Sequence, residues 1–315
     1  LEIIVALPNQ PLHHHSVDIE AIDQTSFLQN LLGSLHPLSP VDAVLPFGQQ
    51  LYDWLIAPIA PELQQQGIET LVFVPDGFLR NIPMSILHDG SSFLLERYSL
   101  ALTPSMKLFN SQPLGSEPLS VLTAGLTEAR QGFSALPAVG REIDQIEQLA
   151  PTSVLLNDRF TNEGVLDRLE NNQFSIVHLA THGTFSASAA DTFLLTWNDR
   201  INVKDLGELF QTSQSRDAPI ELLVLSACQT AQGDLRAALG MAGVAVESGA
   251  RSTVATLWRV QDASTALFMG EFYQRLISQQ SRAQALREAQ LMLMKDSNYQ
   301  HPYYWAPFVI IGNWQ

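Results

Sequence analysis

Short, almost entirely apolar segments alternate in the second half of the chain with segments whose apolar residues recur at helical spacing. The apolar segments include LSVLTAGL (119–126), FSIVHLATHG (174–183) and IELLVLSAC (220–228), and the helical ones include GREIDQIEQLA (140–150) and SRAQALREAQLMLM (281–294). Strands that are apolar on both sides belong to a sheet that is covered on both faces. The pattern therefore predicts an α/β fold, with a mostly parallel sheet flanked by helices on both faces.

The first part of the chain has a different pattern. Residues 1–19 predict a β-hairpin, residues 23–35 and 46–66 have helical spacing, and ETLVFVPDG (69–77) predicts a strand that ends in a turn. The three consecutive histidines of the hairpin, at positions 13–15, alternate between the two faces of a strand, so we do not expect them to bind one metal ion.

A segment rich in proline, glycine and serine, NSQPLGSEP (110–118), separates these two patterns. Such composition is typical of a connection between domains. We therefore expect an N-terminal accessory α+β region over residues 1–116 and a second domain over residues 117–315.

Composition and charge restrict the function. The 315 residues are 46% hydrophobic and carry a formal net charge of −15, which argues against a nucleic-acid partner because such proteins normally need a basic face. No apolar run reaches the roughly 18 residues that a membrane span requires, so no membrane association is expected. A single cysteine excludes an internal disulfide and a multi-cysteine metal site, and it fits a reducing cytoplasm. Because the chain starts at Leu1 without a methionine or a signal peptide, we interpret it as a piece of a longer protein.

Two of the apolar strands end in residues of reactive type. FSIVHLATHG ends at His182 and Gly183, and IELLVLSAC ends at Cys228, the only cysteine. Chemistry in parallel sheets collects where strands end at their carboxyl edge. If the two strands are neighbours, the imidazole can take the thiol proton and the thiolate can attack a carbonyl carbon. The N–H groups of Gly183 and Cys228 could then donate to the developing oxyanion, and glycine leaves room for substrate beside the histidine.

Other interpretations of these residues remain open at this point. A lone cysteine in an apolar setting is often an inert core residue. His178 lies within the same apolar strand as His182 and has the same strand parity, and we interpret it as a buried histidine that supports the site.

The sequence resembles the CHAT domain family. HLATHGTF (178–185) and VLSACQTAQGD (224–234) are similar to the two signature blocks of these caspase-like cysteine peptidases, which have caspases and separases as more distant relatives. Four further blocks follow the family's order: LVFVPDGFLRNIPMSIL (71–87), LPAVGREIDQI (136–146), GARSTVATLWRVQDASTALFMGEFYQRL (249–276) and HPYYWAPFVIIG (301–312). The resemblance covers roughly residues 40–315, and it implies a caspase-like fold for the α/β domain.

The resemblance also implies roles for single residues. Cys228 is expected to be the nucleophile that forms an acyl-enzyme, His182 the general base and acid, and Gly183 and Cys228 the oxyanion donors. Ser226, two residues before the cysteine, is expected to line the pocket for the residue before the scissile bond, and its small neutral side chain argues against a caspase-like preference for aspartate. Asp262 corresponds to an acidic residue with which separase-like relatives hold an arginine. As an alternative, Asp262 caps a helix that starts at residue 263.

The expected function is that of a cysteine endopeptidase, without a cofactor, acting on protein or peptide substrates in the cytoplasm. CHAT domains often follow tetratricopeptide or other helical repeats, so an upstream repeat region that regulates the enzyme is a possible partner. Two alternatives stay open. One is a catalytically silent peptide-binding or signalling module of the same fold, and the other is a small-molecule acyltransferase or amidase that uses the same dyad.

Overall fold

The computed structural model describes residues 1–104, 119–185, 192–202, 205–208, 220–226, 229–230 and 249–315. Its helices are α1 (Gln24–Ser34), α2 (Leu45–Leu55), α3 (Ala60–Gln65), α4 (Ala138–Leu149), α5 (Asn162–Asn171), α6 (Asp262–Ile277), α7 (Arg282–Lys295) and α8 (Pro302–Trp305). Its strands are β1 (Glu2–Val5), β2 (His13–Ser16), β3 (Thr70–Phe73), β4 (Ser99–Leu102), β5 (Val121–Gly125), β6 (Thr152–Leu156), β7 (Ile176–Ala180), β8 (Gly183–Phe185), β9 (Phe193–Leu195), β10 (Arg200–Asn202), β11 (Leu222–Ser226), β12 (Gln229–Thr230), β13 (Ser252–Thr256) and β14 (Phe308–Gly312).

Among the described residues, the main sheet has eight strands in the order β3-β4-β14-β13-β11-β7-β5-β6. The pairs within β13-β11-β7-β5-β6 are parallel, and so are the pairs within β3-β4-β14. The β13–β14 pair is the antiparallel one among these described strands. The sheet is therefore mostly parallel, as the apolar strands predicted, and it consists of two blocks that run in opposite directions.

Both faces of this sheet are covered. Along β11, Leu222 and Val224 belong to the core that includes α6 and α7, whereas Leu223 and Leu225 belong to a second core that includes α5 and β9. Successive side chains of a strand point to opposite faces, so a strand with two apolar faces needs a packed layer on each. The prediction of helices on both faces is confirmed, and β9 adds strand residues to one of these layers.

A small second sheet extends the structure beyond the end of β7. Its strand order is β10-β9-β8-β12, with β8 and β12 parallel and β9 antiparallel to both β8 and β10. Strand β8 starts only three residues after β7, and β12 starts three residues after β11. The second sheet therefore begins where the candidate residues of the two apolar strands are expected.

The N-terminal region contains the predicted hairpin of β1 and β2, in which His15 pairs with Ile3 and His14 with Ile4. It also supplies β3 and β4 to the main sheet, where Leu102 pairs with Ile311. The expected boundary near residue 116 lies outside the described residues, and the two regions that it separates share one sheet.

None of the helices in the part of the chain that the structure describes is long and apolar enough to cross a membrane.

Candidate functional site

Strand register brings the segments around the two candidate catalytic residues side by side. In the main sheet Ser226 at the end of β11 pairs with Ala180 at the end of β7, and the Thr181 N–H donates to the Ser226 carbonyl at 3.2 Å. Beyond these ends the chains pair again in parallel, with Gln229 opposite Thr184. The chain segment that contains His182 is thus paired with its neighbour both before this residue, at Ala180, and after it, at Thr184.

Cys228, which is both the expected nucleophile and one of the expected oxyanion donors, lies outside the described residues. Its position in the sequence still relates it to the paired strands. It follows Ser226 by two residues, just as His182 follows Ala180 by two residues, and Ser226 and Ala180 are direct partners. This is the strand arrangement that a thiol and an imidazole at neighbouring strand ends require.

The imidazole of His182 is held by a main-chain carbonyl. Its Nε2 lies 2.7 Å from the oxygen of Ser134, in the loop before α4. A carbonyl can only accept a hydrogen bond, so Nε2 must carry a proton. In the neutral ring the acceptor is therefore Nδ1, and this nitrogen is the one that can take a proton from a nucleophile.

The ring of His182 is also packed against an aromatic side chain. The Phe133 ring lies 5.1 Å from it between centroids with an interplanar angle of 31°, and Phe193 packs edge-on against Phe133 at 6.4 Å. His182 as a whole is 5% exposed. Burial lowers the pKa of His182 below its ordinary 6.5; the Ser134 carbonyl opposes this shift, the charge of Arg259 adds to it, and the charge of Asp262 opposes it. The imidazole is therefore kept in its neutral, proton-accepting form to lower pH than a free histidine.

We expect Phe133→Ala to raise the pKa of His182 toward 6.5, because removing the ring admits water to the imidazole. The lowered pKa has a matching effect on stability, since the unfolded chain binds a proton below pH 6.5 while the folded chain resists it. This contribution is present above pH 6.5 and is lost as the pH falls toward the folded-state pKa. NMR titration of His182 in both proteins measures the shift, and an unchanged pKa in the variant would show that Phe133 does not shield the ring.

Asp262 lies close enough to this histidine to influence its pKa. It is the first residue of α6, and its Oδ2 accepts a hydrogen bond of 2.7 Å from the N–H of Ala138, the first residue of α4. The cap of α6 is instead Gln261, which makes no side-chain capping bond. The expectation that Asp262 caps its own helix is thus wrong, because its carboxylate binds the N-terminus of the neighbouring helix α4.

The carboxylate of Asp262 is partly buried, and burial raises its pKa above the ordinary 3.8; the N–H of Ala138 opposes this and the nearby charge of Glu142 adds to it. The helix dipole of α4 favours a negative charge at this point, since the N-terminus of a helix is electropositive. Asp262 is therefore an acidic group whose charge acts on His182 and which is anchored through one oxygen.

Gly183 and Ser226 occupy the strand ends on either side of the site. Gly183 begins β8 and pairs with Leu194 of β9. Ser226 is fully buried, and its Oγ has no hydrogen-bond partner among the residues described. Nothing in this geometry tests the oxyanion role of Gly183 or the pocket role of Ser226, and both remain predictions.

His178 lies beneath the site in a wholly buried polar cluster. Its Nδ1 is 3.1 Å from the hydroxyl of Tyr273 on α6, and its Nε2 is 2.8 Å from Oε1 of Glu142 on α4. The second contact has ion-pair distance without hydrogen-bond alignment, and both carboxylate oxygens lack a hydrogen-bond partner among the described residues. Burial, followed by the charge of Glu142, raises the pKa of Tyr273 well above 10, so its hydroxyl stays protonated. The interpretation of His178 as a buried supporting residue agrees with these contacts.

Ser134 and Phe133 are the contributors to the site that sequence reasoning missed. Ser134 acts through its main-chain oxygen, and any residue type supplies that atom, so no sequence signal could identify it. Phe133 belongs to a short loop with no motif of its own. Only the folded backbone shows that this loop, 48 residues before His182 in the sequence, contacts its imidazole.

Comparison with known sequences identifies one family. A family model described as the CHAT domain matches residues 45–313. The curated relatives include tetratricopeptide repeat protein 28 of Homo sapiens, 25% identical over 320 residues, and that of Mus musculus, 24% identical over 323 residues. Each alignment covers 84% of this chain and 13% of the relative. The chain thus spans only a small part of the length of these relatives.

The chain is also similar to solved structures. Separase in the Saccharomyces cerevisiae separase–securin complex superposes with a TM-score of 0.52 at 15% identity, covering 98% of this chain and 21% of that one. The Arg-specific cysteine proteinase gingipain R has a TM-score of 0.44 at 12% identity, covering 62% of this chain and 46% of that one. At 15% identity the likeness to separase concerns the fold alone, which is caspase-like, as the sequence resemblance implied.

Proposed function

This chain belongs to the CHAT domain family, and from that premise we propose that it is a cysteine endopeptidase that uses Cys228 and His182. One observation carries the proposal. Strands β7 and β11 pair up to their last residues, and β8 and β12 pair again immediately beyond, which supports a position of Cys228 beside His182. The hydrogen bond from Nε2 to Ser134 adds to it, because it leaves Nδ1 as the basic nitrogen.

The proposed reaction follows from these positions. Nδ1 of His182 accepts the thiol proton, and the sulfur of Cys228 forms a bond to the carbonyl carbon of the scissile peptide. The N–H groups of Gly183 and Cys228 donate to the oxyanion. Collapse of the tetrahedral intermediate breaks the C–N bond, and His182 returns its proton to the leaving amine. Water, deprotonated by the same nitrogen, then hydrolyses the thioester and restores the free thiol.

A thiol-reactive probe tests the dyad directly, because Cys228 is the only cysteine and every label reports on it. We expect the wild type to react with iodoacetamide near neutral pH. His182→Ala should react at least about tenfold more slowly, because the thiol loses the base that accepts its proton. His14→Ala, at an exposed histidine of the hairpin, is the matched control and should label like the wild type. Equal labelling of all three proteins at every pH would contradict an activated thiol.

We further propose that Asp262 selects a basic residue before the scissile bond, with Ser226 at the base of the same pocket. The support is the position of Asp262 near His182, together with its anchored carboxylate. A net charge of −15 also favours basic peptides over acidic ones. The charge of Arg259 acts on His182 as well.

Asp262→Asn is expected to lower kcat/KM for a peptide with arginine before the cut by about 100-fold, since it removes the charge that pairs with the guanidinium. Asparagine keeps an oxygen for the Ala138 N–H, so the fold should be preserved, whereas Asp262→Ala loses both functions. Asp144→Asn, at an exposed position of α4, is the control. Cleavage profiles of a peptide library give the comparison, and an unchanged arginine preference in Asp262→Asn would remove Asp262 from the pocket.

The proposed setting is a cytoplasmic protein in which repeats regulate the peptidase. The names of the curated relatives support an association with tetratricopeptide repeats, although this chain matches only 13% of their length. Within this setting residues 117–315 form the peptidase domain, and residues 1–116 form an accessory region that completes the main sheet.

A second candidate function is a catalytically silent module of the same fold that binds peptides. The burial of His182 and Ser226 favours it, because both side chains lie almost out of reach of solvent. The labelling experiment separates the two functions, since a silent module does not need a thiol whose reactivity depends on His182. Turnover of small esters without peptide cleavage would instead favour an acyltransferase or amidase.

A further inference from the structure

We propose that the turn formed by residues 130–133 is a positioning device for the catalytic imidazole, with Arg130 and Gln131 as its positioning residues. This inference rests on the proposed function of His182. It concerns residues that belong to no motif of the family resemblance and that touch no reacting atom. Their proposed role is to fix the Ser134 carbonyl against Nε2 of His182.

The turn itself is tight and well defined. The N–H of Arg130 donates to the Phe133 carbonyl at 3.1 Å, and the N–H of Phe133 donates back to Arg130 at 2.7 Å. The two central residues have positive φ, 47° at Gln131 and 85° at Gly132. Two successive residues with positive φ are typical of a type I′ turn, which reverses the chain in the least space. The chain therefore leaves this turn at Phe133 and Ser134 in a fixed direction.

Two side chains attach the turn to the connection between β9 and β10. The guanidinium carbon of Arg130 lies 3.2 Å from the centre of the Trp197 ring, a close cation–π contact. The side-chain amide of Gln131 donates to the carbonyls of Thr196 and Asp199 at 3.4 and 3.3 Å. Nε of Arg130 is buried and has no hydrogen-bond partner among the described residues, so the contact with Trp197 is the interaction that these residues show for the guanidinium.

Leu195, the last residue of β9 before this connection, is in turn bonded to the main chain at His182. The N–H of Leu195 donates to the His182 carbonyl at 2.8 Å, and Thr181 Oγ1 donates to the Leu195 carbonyl at 2.7 Å. The contacts thus form a closed ring. It runs from the backbone of His182 through Leu195 to Trp197, across to Arg130, and through Ser134 to the imidazole of the same histidine.

A closed ring of this kind has a specific consequence. The position of the Ser134 carbonyl, which orients the imidazole, is fixed relative to the backbone of the same histidine. A small displacement of this carbonyl therefore misorients Nδ1. Misplacing a reacting group by about 1 Å costs on the order of 100-fold in rate. Loosening the turn should therefore lower kcat while leaving substrate binding almost intact.

The test uses Gln131→Asn and Arg130→Met. Asparagine tolerates the positive φ at position 131 but is one methylene too short to reach the two carbonyls, and methionine keeps the apolar stem of Arg130 without its charge. We expect kcat for peptide cleavage to fall about tenfold in each, with KM within about twofold of the wild type. Arg130→Lys, which keeps a cation for Trp197, should recover part of the loss. Arg80→Gln, at a surface arginine paired with Asp76, is the control.

A proton NMR measurement supplies a readout independent of turnover. The Nε2–H of His182 is buried away from water and donates to the Ser134 carbonyl, so it should give a downfield imidazole signal. The absence of this signal in His182→Ala assigns it. We expect this signal to move upfield and to exchange faster with water in the two turn variants. Folded turn variants with an unmoved signal would overturn the proposal. If the wild type cleaves no peptide, the proposed function fails, and the NMR result alone then decides the role of the turn.

Discussion

Peptide cleavage by this chain is expected to fall by roughly 10⁴- to 10⁶-fold when Cys228 is replaced by alanine, since removal of a catalytic nucleophile has effects of this size. The expectation depends on β7 and β11 ending as direct partners, which supports the proposal that His182 and Cys228, each two positions beyond a strand end, act together. Cleavage of a peptide library by wild type and variant measures the loss. The same experiment records which residue precedes each cut.

The companion variants make this result specific. His182→Ala should cause a loss of similar order, and Cys228→Ala combined with His182→Ala should be no slower than either single variant, because residues that act as a unit are not additive. His14→Ala, at an exposed histidine far from His182 in the sequence, should cleave like the wild type. Equal cleavage by wild type and Cys228→Ala would show that the activity belongs to another group or to a contaminant.

The second large effect concerns stability. His178→Ala is expected to lower the free energy of unfolding by about 3–5 kcal/mol, the cost of leaving one member of a buried ionisable pair without its partner. The pair is His178 and Glu142, with Nε2 and Oε1 2.8 Å apart and neither side chain more than 1% exposed. Tyr273 would also lose its contact with the ring. Urea unfolding monitored by tryptophan fluorescence gives the difference.

Two controls connect the loss to the buried pair. Glu147→Gln removes a carboxylate from an exposed position of α4, the helix that carries Glu142. We expect it to change the free energy of unfolding by no more than about 0.5 kcal/mol. The double variant Glu142→Leu with His178→Leu removes both polar groups and keeps much of the volume, so it should be more stable than His178→Ala. A single variant as stable as the wild type would mean that water or another group replaces the lost partner.

Sequence pattern predicted the main sheet well, for a physical reason. Strands such as β7 and β11 are buried on both faces, so their positions are apolar or small, with His178 of β7 as the exception, and this pattern is visible without knowledge of neighbours. The order of strands could not be predicted in the same way. Nothing in the sequence of β14 indicates that it lies between β4 and β13, or that it runs antiparallel to β13.

The candidate site shows the same division. His182 and Cys228 could be selected because their residue types and their places at strand ends carry the chemistry. The loop that orients His182 could not, because it acts through the main-chain oxygen of Ser134. Asp262 shows a third case, in which the residue type predicted a cap for the helix that follows it, but the carboxylate binds the N-terminus of α4, which starts 124 residues earlier in the sequence.

The placement of β14 within the main sheet has a consequence for biosynthesis. The ribosome makes β3 and β4 before the other strands of the main sheet, yet in the described sheet β4 joins these strands through β14, whose Ile311 is synthesised more than two hundred residues after its partner Leu102. Until β14 emerges, β4 lacks its partner on that side, and such unpaired strand edges promote aggregation. Assembly of the main sheet must therefore await the C-terminal strand, and contacts so distant in sequence predict slow folding after translation.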